Sequence, residues 1–378
     1  MGRVCHLRCG GSASMGLKIA VLPGDGIGPE VTRHAVRVLA TVFDGARRDV
    51  YFAEHPIGAG AIKRLGTPLP DETLHACLGS HVVLLGAVGD PSCDGLPRAE
   101  RPEAGLLKLR RELGAFANLR PARCEDELVA ATPYRPEKVR GADILIVREL
   151  LGGLYFGEPR GIEGDEAFNT MRYTRVEIER VVRVAFQQAR LRRRLLTSVD
   201  KANVLETSQL WRAVVTDLTR EYPDVRLEHM YVDACAMRLA IDPLHFDVIV
   251  TENLFGDILS DQAAAVAGSI GMLPSASIGG RVDLYEPVHG SAPDIAGTDR
   301  ANPFGAIASA AMLLRHTAKM PLEATLVEQA IRHVLEIGMR PADVAGPHHR
   351  PSTTSEIGEA VEHTLAELID HRRSYHAV

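Results

Sequence analysis

The chain has 378 residues, of which 46% are hydrophobic, and a formal charge of −6. Domains run to roughly 100–200 residues, so two are expected, each with a sizeable core. The mild acidity argues against a nucleic-acid partner, and no apolar run reaches the ~20 residues of a membrane helix.

Residues 1–16 are rich in Gly and Ser, carry Arg3 and Arg8, and contain no acid. They read as a disordered extension, either a short transit peptide or sequence ahead of a start at Met15. Beyond them, Lys18–Leu22, His81–Leu85, Asp143–Val147, Leu195–Val199 and Phe246–Val250 are short apolar runs of the kind that form strands buried on both faces. Val176–Ala189 places Ile178, Val181, Val182, Ala185 and Ala189 on one helical face, and Thr174 with Glu177 forms a capping box. Strands alternating with helices give an α/β fold. Gly346–Pro351 reads as a loop. The six cysteines lack metal-site spacing and read as free thiols of a reducing cytosol.

Leu22–Glu30 follows the first strand. Gly24 and Gly26 fit a dinucleotide fingerprint, but Pro29 stands at the third glycine position. Alone, the motif is a tight turn leading into a helix that can begin at Pro29. Arg110, Arg120 and Arg148 lie beside apolar segments, where guanidinium forks can grip carboxylates in pairs. Arg148 sits at a strand exit, where ligands of open α/β sheets bind. Lys201 is placed similarly, and Tyr155 is a candidate proton donor. The run Arg190, Arg192, Arg193, Arg194 reads as a solvated helix end.

Asp257 and Asp261 share one helical face, where two like charges repel unless a cation lies between them. Their flanks, Leu254, Phe255, Ile258 and Leu259, suggest a mostly buried helix. Hard oxygen ligands of this type suit Mg²⁺ or Mn²⁺, with Asp233 a further candidate.

Taken together, Leu22–Glu30, Asp94–Arg98, Tyr155–Gly161, Asp200–Asn203, Asn253–Asp261 and Glu286–Asp294 resemble the isocitrate/isopropylmalate dehydrogenase family, from Lys18 to near the C-terminus. The resemblance implies a two-domain α/β fold of the isopropylmalate dehydrogenase type, not a true Rossmann fold. The first domain would be 17–115 plus 268–378 and bind NAD; the second, 116–267, would carry the substrate and metal residues and the homodimer interface. The implied reaction oxidises a 2-hydroxy diacid and decarboxylates it, in the cytoplasm.

By the same resemblance, Arg110, Arg120 and Arg148 hold the substrate carboxylates, Tyr155 protonates the enol carbon and Lys201 takes the C2 hydroxyl proton. Asp233, Asp257 and Asp261 hold the metal, with Lys201 and Asp233 donated across a homodimer. Glu286, His289, Gly290, Ser291, Ala292, Asp294, Ile295 and Asn302 bind NAD, with Glu103 near its nicotinamide end. Asp294 followed by Ile295 favours NAD over NADP, since a carboxylate repels a 2′-phosphate. Leu106, with Leu107, offers an apolar wall for the branched alkyl group of 3-isopropylmalate. Isocitrate, homoisocitrate, malate and tartrate are the alternative substrates, and a non-catalytic regulatory subunit is the alternative role. One position departs from the pattern. Glu252 stands where isopropylmalate-type members often have glycine, and is expected either to alter the metal site or to face solvent.

Overall fold

The computed structural model describes residues 4–7, 16–346 and 350–376. The chain divides into two compact units. Unit 1 is Met1–Gly114, Ser269–Ala276 and Gly280–Val378; unit 2 is Ala115–Gly268 with Ser277–Gly279.

In unit 1 the strands run in the order Val4–Leu7, Val50–Glu54, Leu17–Gly24, Val82–Ala87, Asp283–Pro287 and Pro274–Ile278. The first of these pairs antiparallel with Val50–Glu54. It lies inside the stretch expected to be a disordered extension; of the rest of that stretch only Gly16, which is buried, is among the described residues. Leu17–Gly24 is parallel to both its neighbours, and Val82–Ala87 to Asp283–Pro287. Every residue of Val82–Ala87 is buried, as a strand covered on both faces should be. The helix Gly28–Gly45 begins with Pro29 in its first turn and packs on Phe304–His316 and Thr354–His376. Of the expected loop Gly346–Pro351, residues 347–349 lie outside the described residues.

Unit 2 orders its strands Ala117–Arg123, Asp143–Glu149, Val248–Thr251, Leu195–Asp200 and Arg226–Tyr231. The first pair is antiparallel and the rest are parallel. The parallel strands therefore bring Arg148, Lys201 and the start of the Val232–Ile241 helix to one edge. The helix Arg175–Arg190 begins at the capping box of Thr174 and Glu177. It buries Ile178, Val181, Val182 and Phe186, at about 1.5–3 kcal/mol for each large side chain. The chain also returns to this unit for Ser277–Gly279. There Asn118 Nδ2 donates to Ser277 Oγ at 2.9 Å, and Gly279, at φ +89°, leaves room for the Phe116 ring.

The arginine run surrounds the end of the helix Arg175–Arg190, with Arg190, Arg193 and Arg194 exposed as expected of a solvated helix end. Arg190 pairs with Asp224 at 2.6 Å, and the half-buried Arg192 donates through Nε to Asp247 at 2.8 Å, a carboxylate with no exposed surface. A buried carboxylate needs such a partner, so Arg192 has a role beyond the helix terminus. Cys77, Cys93, Cys124 and Cys235 are free and buried.

Candidate active site

The unit 2 cluster is built on the helix Asn253–Ala267. This helix is mostly buried, as expected, although Ile258 is 58% exposed. Its covered face joins Leu259 and Val266 to small residues, among them Gly256, Ser260, Ala263 and Ala264. Small size permits close approach. A Cβ at Gly256 would fall 2.7 Å from Arg148 Cγ. Thus Arg148, only 1% exposed, lies directly under the helix that carries Asp257.

Asp257 gathers the polar groups. Arg148 Nη1 and the Tyr155 hydroxyl both donate to its carboxylate, and Arg120 Nη1 lies at 3.2 Å. The same Arg120 nitrogen donates to Ser260 Oγ at 2.7 Å and stands 3.7 Å from Asp261. Burial first, and the Asp257 contact second, push the Tyr155 hydroxyl above its ordinary value. Burial likewise raises the Asp261 carboxyl, and the neighbouring Asp257 adds to this.

Lys201 and Asp233 form a separate pair at 2.5 Å, with the Asp233 side chain 66% exposed. The Lys201 hydrogen bond lowers the Asp233 carboxyl. Among the described residues, no three His, Cys, Asp or Glu side chains gather closely enough for a metal within one chain. Asp257 and Asp261 do present two hard carboxylate donors one helical turn apart, the donor chemistry that Mg²⁺ or Mn²⁺ takes.

Glu252 neither faces solvent nor joins the aspartates. It is 4% exposed and caps the helix, accepting from Leu254 N at 3.1 Å and Phe255 N at 2.6 Å. The capping carboxylate satisfies amides that the helix cannot pair itself.

In unit 1 the Leu22–Glu30 segment does more than turn the chain. Asp25 accepts from Ala59 N, Gly60 N and Gly89 N at 2.9, 3.0 and 3.0 Å. Gly26, at φ +57°, passes so near Ser291 that a Cβ would lie 1.9 Å from its carbonyl oxygen. Ile27 N donates to that oxygen at 2.8 Å, and the Glu30 carboxylate accepts from Gly297 N. The segment is a clasp for the loop that follows Glu286. Sequence reasoning missed this because both partners are distant along the chain; the density of glycine was the only signal.

On that loop His289 is buried, and its Nε2 atom has no partner among the described residues. Asp294 is exposed and Ile295 half-buried. No described atom lies within 4 Å of where Gly290 would carry a Cβ. An orphaned ring nitrogen beside open space and a free carboxylate suits a nucleoside. Asn302 is engaged internally: its amide donates to Asp343 at 3.0 Å and its oxygen accepts from Phe304 N at 2.9 Å. Glu103 Oε1 and Ser291 Oγ would lie 3.2 and 3.5 Å from a Cβ at Gly89.

Arg110 Nη2 is bonded to Glu286 at 2.6 Å; both residues are buried, and Arg110 Nε lacks a partner. Leu106 packs on the cluster of Leu22, Ile57, Leu85 and Leu109, so part of its surface belongs to the core.

Residues 18–361 match the family model described as isocitrate/isopropylmalate dehydrogenase. The chain is similar to the 3-isopropylmalate dehydrogenase of Moorella thermoacetica, 57% identical over 93% of this chain and 99% of that protein. It is 59% identical to the Gloeobacter violaceus 3-isopropylmalate dehydrogenase over 87% of this chain and 93% of that one. Among solved structures, isocitrate dehydrogenase from Methylococcus capsulatus aligns at TM-score 0.82 and 35% identity, covering 93% of this chain and 99% of that one.

Proposed function

Because the chain belongs to the isocitrate/isopropylmalate dehydrogenase family, we propose that it oxidises 3-isopropylmalate at C2 and decarboxylates the product to 4-methyl-2-oxopentanoate, the leucine precursor. The substrate rests on the relatives at 57% and 59% identity, both named for it. Isocitrate, homoisocitrate, malate and tartrate are the substrates to test against it.

Bound NAD supplies the hydride acceptor, and bound Mg²⁺ or Mn²⁺ supplies Lewis acidity. Arg120 and Arg148 grip one substrate carboxylate, and Arg110 adds a third fork. Lys201 takes the C2 hydroxyl proton as the hydride leaves C2. CO₂ then departs, and Tyr155 delivers a proton to the carbon it leaves. Burial keeps the Tyr155 phenol protonated, as a donor needs to be. Asp257 and Asp261 would hold the metal. The orphaned His289 nitrogen, with Gly290, Ser291, Ala292, Asp294 and Ile295, would hold the adenosine half of NAD; Glu286 and Glu103 would stand toward the nicotinamide.

We also propose a homodimer in which a second copy contributes Lys201 and Asp233. Two observations support it. The packed helices Val232–Ile241 and Asn253–Ala267 leave the large apolar side chains of Met237, Ile241 and Ile258 exposed, at 61, 58 and 58%. The hairpin Gly161–Glu163 with Glu166–Phe168 is exposed at every residue but Phe168, and an isolated two-stranded hairpin is marginal in water. A cytosolic location accords with the four free thiols. No helix among the described residues is long and apolar enough to cross a membrane.

An NAD reduction assay with Mg²⁺, run across 3-isopropylmalate, isocitrate, homoisocitrate, malate and tartrate, tests the reading. Fastest turnover on 3-isopropylmalate is expected. Turnover on none of them would leave a regulatory subunit as the better account.

A further inference from the structure

Arg148 is almost fully buried, and one edge of its guanidinium is held by a single side chain. Asn253 Oδ1 accepts from both Nε, at 3.0 Å, and Nη2, at 2.7 Å. That leaves Nη1 as the edge offered toward Asp257. Asn253 is itself fixed from two sides. Its Nδ2 donates to the Gly152 carbonyl at 3.1 Å, and its backbone N–H donates to the Tyr173 hydroxyl at 3.0 Å. The Tyr173 hydroxyl donates in turn to Glu252 at 3.1 Å, the carboxylate that caps the same helix. Gly152 is tied down by Glu149, which accepts from Leu151 N at 3.0 Å and Gly152 N at 2.8 Å. Asn253, Tyr173 and Glu252 are 1, 7 and 4% exposed, so water does not replace these partners.

We propose that Asn253, oriented by the Tyr173–Glu252 pair, is a positioning residue that fixes which edge of Arg148 meets the substrate carboxylate. A buried fork can rotate unless its other edge is anchored, and a rotated fork turns Nη1 away from the carboxylate it should meet. In this chain the residue that departs from the family's frequent glycine is thereby part of the substrate's support. The same carboxylate that ends the helix backbone also sets the tyrosine that aims Asn253. The inference rests on the reading of Arg148 as a substrate-carboxylate ligand.

The test uses the full-length chain, with 3-isopropylmalate, NAD and Mg²⁺, and compares the parent with Asn253→Ala and Tyr173→Phe. The expected result is a rise in KM for 3-isopropylmalate of about ten-fold in the first and about three-fold in the second, with KM for NAD within two-fold of the parent. A diacid KM unchanged in both variants, whatever happens to kcat or Tm, overturns the inference, because a purely structural cap would lower the active fraction alone. Equal rises in both KM values overturn it as well. Should Asn253→Ala not fold, Tyr173→Phe alone decides. A parent that does not turn over 3-isopropylmalate sinks the substrate reading instead; calorimetric binding of the same diacid to the same variants then decides the inference by the same pattern.

Discussion

Unit 2 organises its polar cluster with buried side chains, whereas unit 1 organises its loop with backbone. Arg148 is met by side-chain oxygens of Asn253 and Asp257, and Tyr173 and Glu252 stand behind Asn253. Around Ser291 and Gly297 the partners are main-chain amides and carbonyls, admitted by a glycine at Gly26 and secured by one carboxylate, Glu30. The difference follows from what we propose each region holds. A dianionic substrate calls for fixed cations, and a buried cation stays fixed only if its own donors are satisfied. A nucleoside calls for a shaped rim of amides and one exposed carboxylate, which loop geometry alone can supply.

If that contrast is correct, damage in unit 2 should fall on turnover or diacid affinity and damage in unit 1 on cofactor affinity. The largest effect is expected from Asp257→Ala. It removes the carboxylate on which Arg120, Arg148 and Tyr155 converge, and turnover with Mg²⁺ should fall by about 1,000-fold while the circular dichroism melt changes little. Unchanged activity would take Asp257 out of the chemistry. Tyr155→Phe should cost about 100-fold in kcat, as loss of a general acid does, with both KM values nearly constant.

Glu149 sharpens the comparison from the side of stability. It has no exposed surface, and burial raises its carboxyl to about 6 against backbone hydrogen bonds that oppose the rise. A carboxyl whose folded value lies above its unfolded value of 4.5 binds more protons when folded, so stability falls as pH rises through that window. The loss between about pH 4.5 and 6 should be on the order of 2 kcal/mol, and Glu149→Gln should abolish it in urea titrations at the two pH values. A parent and variant with parallel pH profiles would remove the argument. The smallest effect is expected from Glu30→Gln. It weakens one bond to Gly297 N, and KM for NAD should rise about three-fold with the diacid KM unmoved.

Local pattern carried the architecture far. The strand expected at Asp143–Val147 runs on to Glu149, and the helix expected at Val176–Ala189 spans Arg175–Arg190 behind the expected capping box. Periodicity and capping are short-range properties, so sequence displays them. The gathering of Arg120, Arg148 and Tyr155 at Asp257 was suggested by motif likeness and by strand ends, although nothing in the spacing says that Tyr155 donates to an aspartate. Three features stayed hidden. Asp25 reaches Ala59 and Gly89, Arg192 reaches Asp247, and Glu252 reaches Tyr173, each across a separation that no local pattern encodes. The expectation of a mostly buried helix at Asn253–Ala267 holds, with Leu259 and Val266 covered, while Ile258 is exposed and glycine, serine and alanine fill much of the covered face.

The four enclosed cysteines offer a way to time each unit separately. Cys77 and Cys93 lie in unit 1, Cys124 and Cys235 in unit 2, and desolvation pushes Cys77 and Cys235 up to about 12 and Cys124 to about 11. Cys77, Cys124 and Cys235 are therefore almost never thiolate near neutrality, and all four sulfurs are enclosed, so an alkylating reagent attacks them only after the surrounding chain has opened. In a background lacking Cys5 and Cys9, mass spectrometry of the modified peptides would turn these side chains into two independent stopwatches for local unfolding.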